Sequence, residues 1–226
     1  MYKNILTIDT STKYCLVIFK NNGIIYKKIQ FCPCLHIKYI LFLINSILSE
    51  TNMLLSEINL LGYNLGPGNF TSIRIGIATI ESMSYALNIP KIGLSHLMIL
   101  AEKSWKITGI KQIITIIKCN KEFLYFSLYK RTKKGLWLGK SNECLLNYND
   151  VINKILLLKG IWVLISDINK YFKYNVKLIL NKNLKISFIK NQISSSEEII
   201  DIINNILLNK KRIKKNYVIN YIKNTL

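Results

Sequence analysis

Glycine and proline are scarce in this chain, with 10 and 3 among 226 residues, and so are acids, with 12 Asp and Glu against 32 Lys and Arg. Low glycine and proline exclude a collagenous or linker-dominated chain. Only two histidines are present, His36 and His96, sixty residues apart, so HExxH-type zinc sites are excluded. Five cysteines, Cys15, Cys32, Cys34, Cys119 and Cys144, are an odd number, and the close pair Cys32-Pro33-Cys34 is neither a zinc knuckle nor a redox CxxC. They read as free thiols. No Ser-His-Asp arrangement is legible either. Long apolar runs are missing as well: Tyr39 to Ile44 is cut by Asn45 and Ser46, and Leu156 to Leu158 meets Lys159-Gly160. A membrane-crossing helix needs about 20 apolar residues, and the N-terminal apolar stretch ends at Asp9, too soon for a signal peptide. The expectation is a cytoplasmic protein with no membrane partner.

Half of the residues are apolar and mean hydropathy is +0.22, so a sizeable core is available. Net charge is +20, which ordinarily suggests a polyanion partner. The cations are mostly lysine in a chain crowded with Ile and Asn. Arg, the better phosphate fork, occurs at Arg74, Arg131 and Arg212. The charge therefore reads either as biased composition or as an RNA-binding surface, with the run Lys210–Lys215 as its centre.

Asn4–Asp9, Cys15–Lys20 and Gly23–Phe31 read as three strands, with Asn21-Asn22-Gly23 as a hairpin turn and the third strand at an edge. His36–Glu50 reads as a helix, Leu60–Leu65 as a strand, a helix runs from a Thr71 or Ser72 cap to Leu87, and a short strand Ile92–Leu94 precedes a helix from Ser95 to Lys106. From Gly109 onward strands are expected at 113–117, 123–130, 136–146 and 161–166. Helices are expected at 150–158 and from Ser194–Ser196 to Asn209, and residues 217–223 read as a last strand or a tail. The order of three strands, then alternating helix and strand, occurs twice. It predicts an α/β protein of two lobes, residues 1–108 and 109–226, each a mixed sheet with flanking helices.

Two strings carry candidate chemistry. In the first, Asp9 ends a strand and Thr10, Ser11 and Thr12 follow in a tight hairpin. An acid so placed faces a metal ion while hydroxyls and amides face phosphate oxygens. Equally, Asp9 accepts bonds from nearby amides in a capped turn. The second string is Gly66-Pro67-Gly68-Asn69-Phe70-Thr71-Ser72-Ile73-Arg74-Ile75-Gly76. Gly66 and Gly68 allow close backbone approach and the helix amides face the loop, an anion site in principle. It is not a P-loop, because no Gly-Lys-Ser/Thr follows.

These strings, with Pro33–His36 and Ile89–Ser95, resemble the bacterial TsaB family, also called YeaZ, over residues 1–100, and faintly beyond Gly109. The resemblance implies two actin-like (ribonuclease H-like) lobes. It implies a non-catalytic partner in placing threonylcarbamoyl on tRNA adenosine beside the anticodon, working through a TsaD-type catalytic subunit and a TsaE-type ATPase, with tRNA met indirectly and a homodimer as an alternative. No metal and no cofactor of the chain's own is implied, ATP and Mg at the partner subunit or the junction being left open. Departures agree with inactivity. Lys118 stands where the family has an acid opening the second lobe, Ile165–Ile168 replaces a glycine-bearing segment, and Asn216–Asn220 replaces a late PxYxR-like one. His96 is followed by Leu100, where catalytic relatives carry a second metal-binding histidine. An independent ATPase of the same fold and a basic tRNA-binding module are the competing readings.

The helix at 36–50 is apolar on more than one side. Ile40, Ile44 and Ile47 form a stripe, and Ile37, Leu41 and Phe42 cover much of the rest. Ile73, Ile77 and Ile80 line the next helix. These six isoleucines are the expected partner interface, of about 1,600 Å², and Ile44→Asp or Ile77→Asp is expected to abolish association with circular dichroism unchanged.

Overall fold

The computed structural model describes residues 2–167, 184–190 and 196–209. Contacts divide them into two units: residues 2–96 with 196–209, and residues 97–167 with 184–190.

In the first unit Asn4–Asp9 (β1), Tyr14–Asn21 (β2) and Ile24–Phe31 (β3) form an antiparallel meander. Its second turn, between β2 and β3, is the expected one, with Asn22 and Gly23 both at positive φ. Leu60–Asn64 (β4) and Lys91–Leu94 (β5) add in parallel on the other side of β1, giving the order β3-β2-β1-β4-β5. Side chains alternate across a strand. Leu6, Ile8, Val17, Phe19, Leu61 and Tyr63 therefore share one buried face, packed under the helices His36–Glu50 (α1) and Phe70–Leu87 (α2). The opposite face is covered by a helix from far along the chain, Ser196–Asn209 (α5), which touches β1, β2 and β4. Ile199, Ile202 and Ile203 of α5 are buried, and a Cβ at Gly62 would lie 2.6 Å from Ile203 Cδ1.

The second unit repeats the plan. His96–Thr108 (α3) leads into it, His96 itself grouping with the first unit. Gln112–Lys118 (β6) pairs antiparallel with Phe123–Arg131 (β7) and parallel with Gly160–Ser166 (β10), which pairs parallel with Leu184–Lys190 (β11). Beyond β7 lie Trp137–Leu138 (β8) and Cys144–Asn147 (β9), and Tyr148–Leu156 (α4) packs its Val151 and Ile155 into the core. Both units are thus mixed sheets with flanking helices, the α/β class expected.

Three local differences from the sequence reading have physical causes. The strand expected over 136–146 is broken, because Gly139 takes φ 143° and a 3₁₀ turn follows at Lys140–Asn142. Strand β11 was not anticipated. The last helix, assigned by sequence to a lobe spanning 109–226, lies on the first sheet, and the contact division falls at 96/97 where 108/109 was expected. Helix continuity through Thr108 hides that division from a reading based on turn residues. The segments Lys210–Lys215, Asn216–Asn220 and 217–223 lie outside the described residues.

Candidate functional site

The two strings meet at the carboxyl ends of β1 and β4. Asp9 Oδ1 accepts hydrogen bonds from Ser11 N at 2.9 Å and from Ser11 Oγ at 2.7 Å. Ser11 Oγ accepts in turn from Asn64 Nδ2 at 3.0 Å, and Asn64 Oδ1 accepts from Gly66 N at 2.8 Å. Ser11 O accepts from Asn69 N at 2.9 Å. Thr12 Oγ1 accepts from Tyr14 N at 3.2 Å, closing the hairpin. Asp9, Thr10 and Ser11 are buried, as are Asn64 and Gly66, whereas Gly68 is exposed. A Cβ on Gly68 would sit 2.3 Å from Ser11 O, and one on Gly76 would sit 2.4 Å from Thr10 Oγ1. The glycines therefore admit the Asp9–Thr12 hairpin against the loop and the first turns of α2. All six sequence-selected residues gather in one knot, and its hinge, Asn64, carried no motif that would have marked it.

Two further contacts hold the loop. His96 donates its backbone N–H to Gly66 O at 2.8 Å, and its Nδ1 lies 2.8 Å from Pro67 O. A proton on Nδ1 makes that second contact a hydrogen bond. His96 thus opens α3 and clamps the loop. His36 is buried at the start of α1, with Nε2 3.3 Å from Tyr14 O. The cap of α2 is Asn69, whose Oδ1 accepts from Ser72 N and Ser72 Oγ at 3.1 and 2.9 Å. Thr71 and Ser72, expected as caps, lie within the first helical turn. The Asn69 side chain already occupies one amide of the helix end that the anion reading requires.

In the second unit Lys118 ends β6, and its backbone N–H donates to Asp167 Oδ1 at 2.9 Å. A carboxylate does stand at this strand end, delivered from β10 rather than β6. Elsewhere in this unit Glu102, buried on α3, takes Arg131 Nη2 at 3.2 Å and Trp137 Nε1 at 2.6 Å, while Arg131 stacks 3.5 Å over the Trp105 ring. Nothing in the residue spacing marks this cluster.

The expected interface isoleucines require correction. Ile40, Ile44, Ile47, Ile73, Ile77 and Ile80 are all at most 8% exposed and belong to the core of the first unit. The amphipathic stripe of each helix faces its own sheet, as helical periodicity demands. The outward surface is the second apolar face: Ile37, Leu41 and Phe42 on α1 are 72, 60 and 66% exposed, and Phe70 opening α2 is 61% exposed. Between the two helices runs a groove of about 630 Å³, bordered by Ile37, Leu41, Phe70, Arg74, Ile75 and Met83 among others. Among the described residues no set of three His, Cys, Asp or Glu could hold a metal ion, and no helix is long and apolar enough to cross a membrane.

The hairpin-and-loop knot and the two greasy helices set the terms for comparison with known proteins. The tRNA threonylcarbamoyladenosine biosynthesis protein TsaB of Buchnera aphidicola subsp. Acyrthosiphon pisum (strain APS) is 36% identical over 179 residues, covering 79% of this chain and 81% of the relative. The protein of the same name from Buchnera aphidicola subsp. Baizongia pistaciae (strain Bp) is 33% identical over 221 residues, covering 93% of this chain and 100% of the relative. The chain belongs to the TsaB family. A family model described as TsaD: tRNA N6-adenosine threonylcarbamoyltransferase also matches residues 32–217. A crystal structure from Pseudomonas aeruginosa, described as an uncharacterized protein with similarity to peptidase YEAZ, superposes with a TM-score of 0.80 at 19% identity. It covers 98% of this chain and 100% of its own. That likeness shows a shared fold.

Proposed function

We propose that this TsaB-family chain is a non-catalytic accessory subunit in the threonylcarbamoylation of tRNA adenosine, acting through a TsaD-type catalytic subunit with a TsaE-type ATPase, in the cytoplasm. The observation that carries the reading is the second apolar face on α1 and α2. Four large apolar side chains stand in solvent beside a groove, more than a lone surface helix needs. The knot at Asp9 supports the accessory role: Asp9 Oδ1 and Ser11 Oγ are bonded to each other and Ser11 Oγ to Asn64, an arrangement that builds a rigid loop. We assign Asp9, Thr10, Ser11, Thr12, Gly66 and Gly68 this structural duty, and move the partner surface from the six buried isoleucines to Ile37, Leu41, Phe42 and Phe70.

The test is reconstitution. The chain and a TsaD-type protein of the same organism are purified and mixed with TsaE-type protein, tRNA, ATP and the threonylcarbamoyl donor. Modification is expected only when both the chain and the TsaD-type protein are present, with a complex larger than either on gel filtration. Turnover of Mg-ATP by the chain alone, lost in Asp9→Ala, would instead make it an independent ATPase. Steeply salt-dependent tRNA binding without any partner would make it a basic RNA module.

A further inference from the structure

We propose that one end of the sheet in the second unit is a contact surface for RNA phosphates, which steadies tRNA while a TsaD-type subunit works on it. The inference rests on the accessory-subunit reading and adds a direct nucleic-acid contact to it, on strands β6, β7, β10 and β11 rather than on the run Lys210–Lys215.

Charge is unevenly spread along the chain. Residues 1–96 hold 8 Lys and Arg and 4 acids, and residues 97–226 hold 24 and 8. Drift in base composition acts on both stretches alike, so it does not account for a threefold difference in cations between stretches of 96 and 130 residues. From Ile168 to Ser196 the sequence has no acid at all.

Sheet register gathers part of this charge. Ile161 of β10 stands opposite Lys185 of β11. The Val163–Ile113 pairing, carried back two residues, sets Ile161 beside Lys111, whose carbonyl accepts from Arg131 N at the end of β7. Lys185, Ile161, Lys111 and Arg131 thus form one row across four strands. Lys130 adjoins Arg131, its Nζ 5.7 Å from the centre of the Trp162 ring, and Lys159 precedes Gly160 at the start of β10. Lys111, Lys130, Lys159 and Lys185 are all exposed. Neighbouring strands lie about 4.8 Å apart, so the row runs about 14 Å. That length suits successive phosphates of one strand better than a single small anion.

Acids are kept away from this end. Glu122 in the β6–β7 turn, Asp150 past the end of β9 and Asp167 past the end of β10 lie toward the opposite end of the sheet. Glu102 is buried and taken by Arg131 and Trp137 Nε1, and Glu143 accepts from the Tyr129 hydroxyl. Lysine is a flexible point charge, not a planar fork, and phosphate contacts position a nucleic acid without reading its bases. Trp162, the nearest aromatic, is buried and offers no face for a base to stack on. A few such contacts bind RNA only weakly at physiological salt. The row therefore acts on RNA that another subunit holds.

The experiment uses the full chain in complex with the TsaD-type protein, and unmodified tRNA. One variant carries Lys111→Gln, Lys130→Gln and Lys185→Gln. Its control removes the same charge from the first unit, with Lys3→Gln, Lys13→Gln and Lys27→Gln, all exposed. Thermal melts check folding, and gel filtration checks the complex. In the first variant the KM for tRNA is expected to rise roughly tenfold with kcat unchanged, and the log–log slope of tRNA affinity against salt to become shallower by about 2–3. The control is expected to behave as wild type. An equal loss in the control overturns the inference, because net charge alone is then at work. An unchanged KM in the first variant overturns it too, and the accessory reading stands as long as modification still needs both proteins. A first variant that stays folded but no longer joins the complex makes the row a protein contact, which also overturns it. So does a row that serves phosphatidylserine vesicles instead, with wild type sedimenting with them, the first variant not, and tRNA affinity the same in both. If the TsaD-type protein modifies tRNA equally well without the chain, the accessory reading falls and the inference with it.

Discussion

One glycine does more than its neighbours. At Gly68 a methyl would meet a backbone oxygen, Ser11 O, which cannot move without opening the Asp9–Thr12 hairpin. Gly68→Ala is therefore expected to cost about 1–3 kcal/mol, read from urea denaturation. If the cost is negligible, the hairpin and the loop are not packed as described. Thiols give a second prediction at this scale. Burial pushes Cys15 up to about 12, and Cys32 is raised by the same cause. The unfolded thiol ionises near its ordinary value of 9.0, so above that pH the unfolded state holds fewer protons than the native one. The contribution is intact below pH 9 and is lost as pH climbs from there toward about 12, at up to about 1.4 kcal/mol per unit for Cys15. A stability profile that stays flat between pH 9 and 10.5 in wild type, or falls equally in Cys15→Ala, contradicts the burial of this thiol. With a thiol reagent at pH 8, the exposed Cys34 and Cys119 are expected to react first.

Helices α1 and α2 show how far periodicity carries a reading. Their bounds were almost wholly legible: His36–Glu50 was expected as observed, and α2 differs by its first residues because Asn69, not a hydroxyl, caps it. Which face is core was not legible. Ile40 and Ile44 are apolar at helical spacing, and so are Ile37 and Leu41, so the pattern gives two stripes and does not say which one the sheet claims. The outcome for variants reverses accordingly. Ile44→Asp places an unpaired charge in the core and is expected to unfold the chain, with a loss of about 4 kcal/mol or more and of the far-ultraviolet signal. Leu41→Asp is expected to melt within a few degrees of wild type. An Ile44→Asp chain that keeps its circular dichroism would restore the original interface. In the second unit Glu102→Ala strands Arg131 and Trp137 Nε1 together, for an expected cost of about 3–5 kcal/mol, seen as an earlier transition in tryptophan fluorescence. The Glu102 cluster was invisible in sequence because its members sit 29 and 35 positions apart on three elements, with no spacing rule linking them. The Asp9 knot was half visible: the glycines and hydroxyls announce a tight loop, but Asn64 joins it only through the parallel pairing of β1 with β4.

On the scale of the whole molecule, the repeat of meander and parallel strands was readable from element order, and the return of α5 was not. A helix whose caps and apolar stripe are local facts carries no local mark of the sheet that it will cover. Ile203 makes the point testable. It is fully buried on α5, against Gly62 of β4. Ile203→Asp is expected to destabilise the first unit, lowering the protection from hydrogen exchange of β1 and β4 amides. If only amides of the second unit lose protection, the helix has been assigned to the wrong sheet.

About a hundred residues separate the end of β5 from the start of α5. During synthesis the five-stranded sheet and its two helices therefore leave the ribosome with one greasy side bare, and at typical rates it stays bare for several seconds. A nascent chain stalled before Ser196 should be a client of chaperones, and release should come only when those fourteen residues of α5 emerge.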